Sequence, residues 1–331
     1  MNLRCDGVFE GGGVKGIGLT GAVKAIEEAG YKFENLAGTS AGAIVASLLA
    51  VGYSGEEIEH ELKKLDYLKF KDEDLIDKIG ILGKTIGTIF EFGIYEGDYF
   101  RKWIEELFKA KGKTKFEDIR LNNSTDERYR YKFNAIASDL TDKKMLVLPQ
   151  DLKEFGFDPD KFSLSLAVRM SISIPIFFEP VKLEDSTGKI HYIVDGGVLS
   201  NYPIWLLDNK SSEPQWPTFG FKLSEDTGGV QKSSKSNSIT SIVGYLESLV
   251  GTMLDAHDKH YISTTKGDID RTIIIPVTVD VNGRQKKISA IDFAITHTES
   301  EALFLNGYNA ALKFLETWNF DLWKEKFRKI L

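Results

Sequence analysis

The chain alternates between two spacings of apolar residues. "NLRCDGVFEG" (2–11) is a short apolar run closed by glycine and predicts a strand. In "GGGVKGIGLTGAVKAIEEAG" (11–30) the apolar positions Ile17, Leu19, Val23 and Ile26 fit a helical face, with Gly30 as its stop. "FENLAGTS" (33–40) predicts a second strand running into a turn, and "AGAIVASLLAVG" (41–52) a mostly apolar, buried helix. Strand, glycine-rich turn, helix, strand, turn, helix is the rhythm of an α/β protein with a mainly parallel sheet.

Residues 54–110 read as largely helical, "SGEEIEHELKKL" opening with Ser54 as a cap. The stretch 75–100 is apolar and broken by Gly80, Gly83, Gly87 and Gly93. It reads either as core or as an apolar cover over a site, glycines permitting it to bend. "RYRYKFNAIASDL" and "KKMLVLP" predict neighbouring strands with a turn near Thr141 and Asp142, and "FSLSLAVRMSISIPIFF" a short helix ending before Pro175. "KIHYIVDGGVLSNYP", "TFGFKL" and "RTIIIPVTVD" predict further strands. Residues 224–238 are polar and rich in Gly, Ser and Lys, hence a flexible surface loop within one domain spanning 1–331. Long helices are expected over 239–262 and over 298–319 near the C-terminus.

The 331 residues carry a net charge of −7 and no long basic tract, which argues against nucleic acid as a partner. Cys5 is the single cysteine, so no intrachain disulfide forms. The N-terminus lacks a signal-peptide-like apolar stretch, and no run approaches the 18 to 20 residues of a spanning helix. A cytoplasmic protein is the default expectation, with peripheral association at membranes and unconventional secretion left open.

Three stretches carry candidate chemistry. Gly38, Ser40 and Gly42 form G-x-S-x-G between a predicted strand and a predicted helix. A nucleophile elbow needs that setting, with small residues two positions either side of the serine. The alternative is a small-residue helix start that contains a serine. "GGGVKG" (Gly11 to Gly16) follows the first strand and can present unshielded N–H groups to an anion. Gly11, Gly13 and Gly16 also fit a dinucleotide loop, but no clear acidic residue ends a second strand about 20 positions on. A glycine nest beside a serine elbow favours an oxyanion site, because acyl transfer needs both. "VDGG" (Val194 to Gly197) places Asp195 at a strand end, either as a functional carboxylate or in a plain Asp-Gly turn. Of the histidines, His60, His257 and His260 read as helix-surface residues. His297 falls where a triad histidine would stand, and that triad stays open, although "THTESE" also reads as a helix cap. No metal site or cofactor motif is apparent, and resistance to EDTA is expected.

"GGGVKG", "GTSAG" and "DGG", in this order, resemble the patatin-like phospholipase family, bacterial type, over most of the chain. The resemblance implies a three-layer α/β/α fold, a modified α/β-hydrolase, with a Ser-Asp dyad. Carried over, Ser40 is the nucleophile and Asp195 its base. Gly11, Gly12 and Gly13 with Ala41 form the oxyanion hole, and Lys15, Gly38, Gly42, Gly196 and Gly197 support the site. Lys15 stands where the family often has arginine, and Glu10 where many members carry aspartate. "SISIP" (171–175) is similar to a further family block. The implied activity is hydrolysis of acyl esters of phospholipids or lysophospholipids, with transient contact with a membrane surface. Acyl transfer and a catalytically silent lipid-binding protein are the alternatives.

Overall fold

The computed structural model describes residues 3–65, 97–121, 126–209, 211, 213–224, 252, 267–281 and 283–328. Strand β1 (Leu3–Phe9) is buried from Cys5 onward, on both faces, as a strand inside a parallel sheet must be. It lies between β2 (Tyr31–Thr39) and β7 (Thr218–Ser224), parallel to both. β3 (Phe133–Asp139) continues the parallel run beyond β2, and β8 (Thr272–Pro276) beyond β7. Three further strands are antiparallel to their neighbours: β4 (Lys144–Leu148) and β6 (Ile190–Asp195) on β3, and β5 (Val181–Glu184) on β6. Together they make an eight-stranded sheet of order β5-β6-β3-β2-β1-β7-β8, with β4 also on β3.

One expected strand divides. "RTIIIPVTVD" stops as β8 at Pro276, which has no N–H for a ladder. It resumes as β9 (Thr278–Val281), which pairs with β10 (Arg284–Lys287) in a separate two-stranded sheet.

The helices follow the periodicity. α1 (Ile17–Glu28) ends before Gly30, whose φ of 89° suits glycine. α2 (Ala41–Val51) is buried almost throughout. α3 (Gly55–Lys64) starts with a capping box in which Ser54 and Glu57 satisfy each other's backbone N–H. α4 (Asp98–Ala110) and α5 (Leu164–Ser171) follow, α5 ending before Pro175 as expected. α6 (His297–Thr317) is capped by Thr296 and Glu299, and a further helix that the periodicity did not reveal, α7 (Phe320–Phe327), succeeds it. The 239–262 helix, apart from residue 252, and residues 225–238 of the polar loop lie outside the described residues, as does the apolar stretch up to residue 96.

Helices α1 and α6 cross at backbone contact. A Cβ on Gly21 would lie 2.0 Å from the Phe304 carbonyl oxygen, and one on Gly307 would lie 1.8 Å from that of Gly18. The main core joins these helices and α2 to one face of the sheet, with Phe9, Leu36 and Phe221 among its buried residues. The opposite face buries Val8, Ala37 and Ile136 against Tyr202, Ile204 and Leu207. A mainly parallel sheet covered on its faces is the expected three-layer α/β/α architecture.

Candidate active site

Strand register assembles the site. Phe9 pairs with Gly38, so the chain leaving β1 and the chain leaving β2 emerge side by side at their carboxyl ends. Open parallel sheets form their ligand crevices at that edge. β3 supplies the second juxtaposition. Its edge pairs with β2 as far as Thr39–Ile136, and the next residue, Ala137, pairs with Asp195 of β6. Ser40 turns away from β3 at the point where Asp195 arrives.

Ser40 has φ 51° and ψ −124°, a conformation that L-residues avoid. Holding it costs about 1–3 kcal/mol, which the surroundings must offset. The Ser40 carbonyl accepts from the N–H groups of Ala43 and Ile44, at 2.9 and 3.2 Å, which opens α2. Its own N–H donates to Ser171 Oγ at 3.0 Å, and Thr39 Oγ1 donates to the Ser200 carbonyl at 2.9 Å. The flanking glycines are there for space. A Cβ at Gly38 would sit 2.4 Å from the Gly42 carbonyl carbon, and one at Gly42 would sit 2.2 Å from the Phe9 carbonyl oxygen. These are the crowding and the strand-turn-helix context of a nucleophile elbow.

Asp195 is 1 % exposed at the end of β6. Its N–H donates to the Ser173 carbonyl at 2.9 Å, and its Oδ1 accepts from Gly197 N–H at 2.7 Å. Oδ2 is buried and accepts no hydrogen bond among the described residues. Burial pushes the carboxyl up to about 7 against the opposing pull of the Ser40 hydroxyl and the Gly197 N–H. The serine is thus near enough to favour the charged carboxylate, while its hydroxyl has not closed on Oδ2; such bonds often tighten only around substrate. A side chain at Gly196 would strike the Ile136 carbonyl oxygen at 2.3 Å, so the turn packs directly on β3.

The glycine loop is narrower as a donor set than its sequence suggests. Gly11 N–H is already donated to the Asn201 carbonyl at 3.0 Å, and Asn201 Nδ2 returns a bond to the Gly11 carbonyl at 3.3 Å. This removes Gly11 from the expected oxyanion donors and makes it the loop's anchor. The N–H groups of Gly12, Gly13 and Ala41 have no acceptor among the described residues. Gly13 has φ 55°, and a Cβ there would lie 1.9 Å from the Ala290 carbonyl oxygen. Lys15 is half-buried and makes no ion pair among the described residues. Glu10 is structural: its carboxylate takes Lys222 Nζ and the Leu223 N–H, tying the end of β1 to β7.

Ser40, Gly13 and Ala41 open onto a cavity walled by apolar side chains, among them Ile44, Ile172 and Phe178. No described histidine lines it. His297 is exposed at the first residue of α6 and His60 is exposed on α3, while His257 and His260 lie outside the described residues.

His191, to which the sequence pointed in no way, is buried on β6. Its Nδ1 lies 2.7 Å from Asp139 Oδ2 and its Nε2 lies 3.3 Å from Asp185 Oδ2. Asp139, Asp142 and His191 hold potential metal-ligating atoms within 4.8 Å of one another. Both ring nitrogens already face carboxylates and Lys189 pairs with Asp142, so the group closes on itself as a polar network. Ser171 opens the "SISIP" block that entered the family resemblance without a role, and nothing in the sequence pointed to Asn201; the contacts of both run to backbone groups distant in sequence.

A serine elbow and a glycine loop at the carboxyl edge of a mainly parallel sheet define an α/β protein of the hydrolase kind. The chain belongs to the patatin-like phospholipase family, whose model matches residues 7–208. It is 38% identical over 318 residues to the uncharacterized protein YqhO of Bacillus subtilis (strain 168), covering 96% of this chain and all of that one. It is 27% identical over 200 residues to the probable lipid hydrolase 463L of Invertebrate iridescent virus 6, covering 60% of this chain and 61% of that one. Among solved structures it is similar to VipD from Legionella pneumophila, with a TM-score of 0.56 and 18% identity over 95% of this chain and 67% of that one, a likeness of fold.

Proposed function

We propose that this protein is a serine hydrolase of lipid acyl esters, with phospholipids or lysophospholipids as substrates, and that it works through a Ser40–Asp195 dyad. One observation carries the reading: a strained serine stands beside a buried, under-bonded carboxylate at the mouth of an apolar cavity. The family match and the viral lipid hydrolase relative support it.

The acyl chain enters the apolar cavity and its ester carbonyl rests over the loop. Ser40 Oγ attacks the carbonyl carbon while Asp195 Oδ2 takes the hydroxyl proton. The oxyanion is met by the N–H groups of Gly12, Gly13 and Ala41, the last at the positive end of α2. Asp195 returns the proton to the departing alcohol or lysolipid. Water then repeats the cycle on the acyl-enzyme and frees the fatty acid. A carboxylate that titrates near 7 is a better-matched base for this than one of ordinary acidity. The substrate lies in a bilayer, so the chain works at a lipid surface; no helix among the described residues is long and apolar enough to cross a membrane.

The test is fatty acid and lysolipid release from mixed phospholipid vesicles by wild type, Ser40→Ala and Asp195→Asn. Wild type should release both products and each variant should fall to the enzyme-free rate. Equal release by wild type and Ser40→Ala defeats the proposal.

A further inference from the structure

We infer that Ser171 is a positioning residue that, with the Ser173 carbonyl two residues on, holds the two halves of the dyad at a fixed spacing; this rests on the Ser40–Asp195 reading above. The sheet alone does not do so. β2 and β6 share one edge of β3 in succession and are not paired with each other. Among the described residues no ladder bond reaches the elbow past Thr39, and none reaches the turn past Asp195. The segment that follows α5 bridges this gap.

Ser171 is fully buried. Its hydroxyl proton goes to the Ile136 carbonyl at 2.6 Å, which leaves Oγ to accept the Ser40 N–H at 3.0 Å. Ile136 is the residue of β3 that pairs with Thr39, and its carbonyl is also what Gly196 packs against. Two positions later the Ser173 carbonyl accepts the Asp195 N–H at 2.9 Å. Ser173 is itself fixed, its Oγ donating to the Arg169 carbonyl at 2.6 Å and accepting from the Arg169 guanidinium. A three-residue span therefore grips the backbone N–H of both dyad members. The grip on Ser40 matters most because that residue is held at φ 51°. Without an acceptor its buried N–H is unpartnered, and the turn can relax toward a conformation that draws Oγ away from Asp195.

The experiment compares Ser171→Ala and Ser171→Thr with wild type and Ser40→Ala. The readouts are kcat and KM on a water-soluble fatty-acyl p-nitrophenyl ester, and the rate of Ser40 labelling by a fluorophosphonate. Ser171→Ala should lower kcat and the labelling rate together by about 10- to 100-fold with KM within two-fold, because misplacing a reacting group slows chemistry without weakening apolar binding. Ser171→Thr, which keeps the hydroxyl, should recover most of the loss. A kcat within two-fold of wild type in Ser171→Ala overturns the inference, as does a Ser171→Thr protein no better than Ser171→Ala. If Ser171→Ala does not fold, Ser171→Cys, close in volume and a poorer acceptor, takes its place under the same criteria. Retained turnover in Ser40→Ala would instead overturn the dyad itself, so the two failures are distinct.

Discussion

Replacing Asp195 by Asn should abolish turnover and at the same time stabilise the fold above neutral pH. Burial raises this carboxyl from 3.8 to about 7. Its charged form is therefore disfavoured in the native state by on the order of 4 kcal/mol. Because the native pKa is the higher one, stability is greatest below about 4 and falls as pH rises through about 7. The neutral amide of Asp195→Asn carries no such cost, since its oxygen can keep the Gly197 N–H and its nitrogen can donate to Ser40 Oγ. Asp6, also raised to about 7 by burial, is present in both proteins and cancels in the difference. For a chain of 331 residues the gain at pH 8 corresponds to a Tm rise of about 3–6 °C, shrinking to about zero at pH 4. The assay is paired calorimetric scans of wild type and Asp195→Asn at pH 4, 6 and 8. In parallel, kcat/KM of wild type should climb with pH to a plateau with its midpoint near 7, where the base becomes charged. A Tm difference that is flat across this range would refute the reasoning, because a lost hydrogen bond has no such pH dependence.

Two more predictions follow from the same geometry. Ser40→Gly should be inactive yet more stable than Ser40→Ala by about 1 kcal/mol in urea unfolding, since glycine takes φ 51° without strain. Ile44→Trp should narrow the apolar cavity beside Ser40, cutting kcat/KM for dodecanoyl esters at least ~10-fold while leaving acetyl esters within about two-fold, measured on soluble aryl esters.

Much of the fold was legible because it is written in local periodicity. The β1-α1-β2-α2 succession, the Ser54 cap and the end of α5 before Pro175 are all encoded within a few residues of where they act. The elbow was legible as the local pattern G-x-S-x-G. Gly38 is small on account of the turn's own Gly42 and Ala43. Gly42 is small on account of the Phe9 and Glu10 carbonyls at the end of β1, a contact that only the pairing of β1 with β2 brings about. The division at Pro276 went unread because "RTIIIPVTVD" keeps strand-like composition on both sides of the break. α7 was hidden behind the Trp318–Asn319 break that follows the long pattern of α6.

By itself the sequence determined which residues have reactive chemistry and which backbone turns can expose them. Residue type and nearest neighbours made Ser40, the glycine loop and Asp195 candidates, with a plain Asp-Gly turn as the alternative for Asp195. The order of the three blocks, through the family resemblance, paired the aspartate with the serine. Only the tertiary structure decided which N–H groups remain to be donated. Gly11 gives its own to Asn201, 190 positions away, whereas those of Gly12, Gly13 and Ala41 meet no acceptor among the described residues. It also decided what sets the spacing of serine and aspartate, through the change of partners along β3 and the grip of Ser171 and Ser173. Hydrogen-bond commitments of backbone groups depend on which strands become neighbours, and no local pattern of side chains records that.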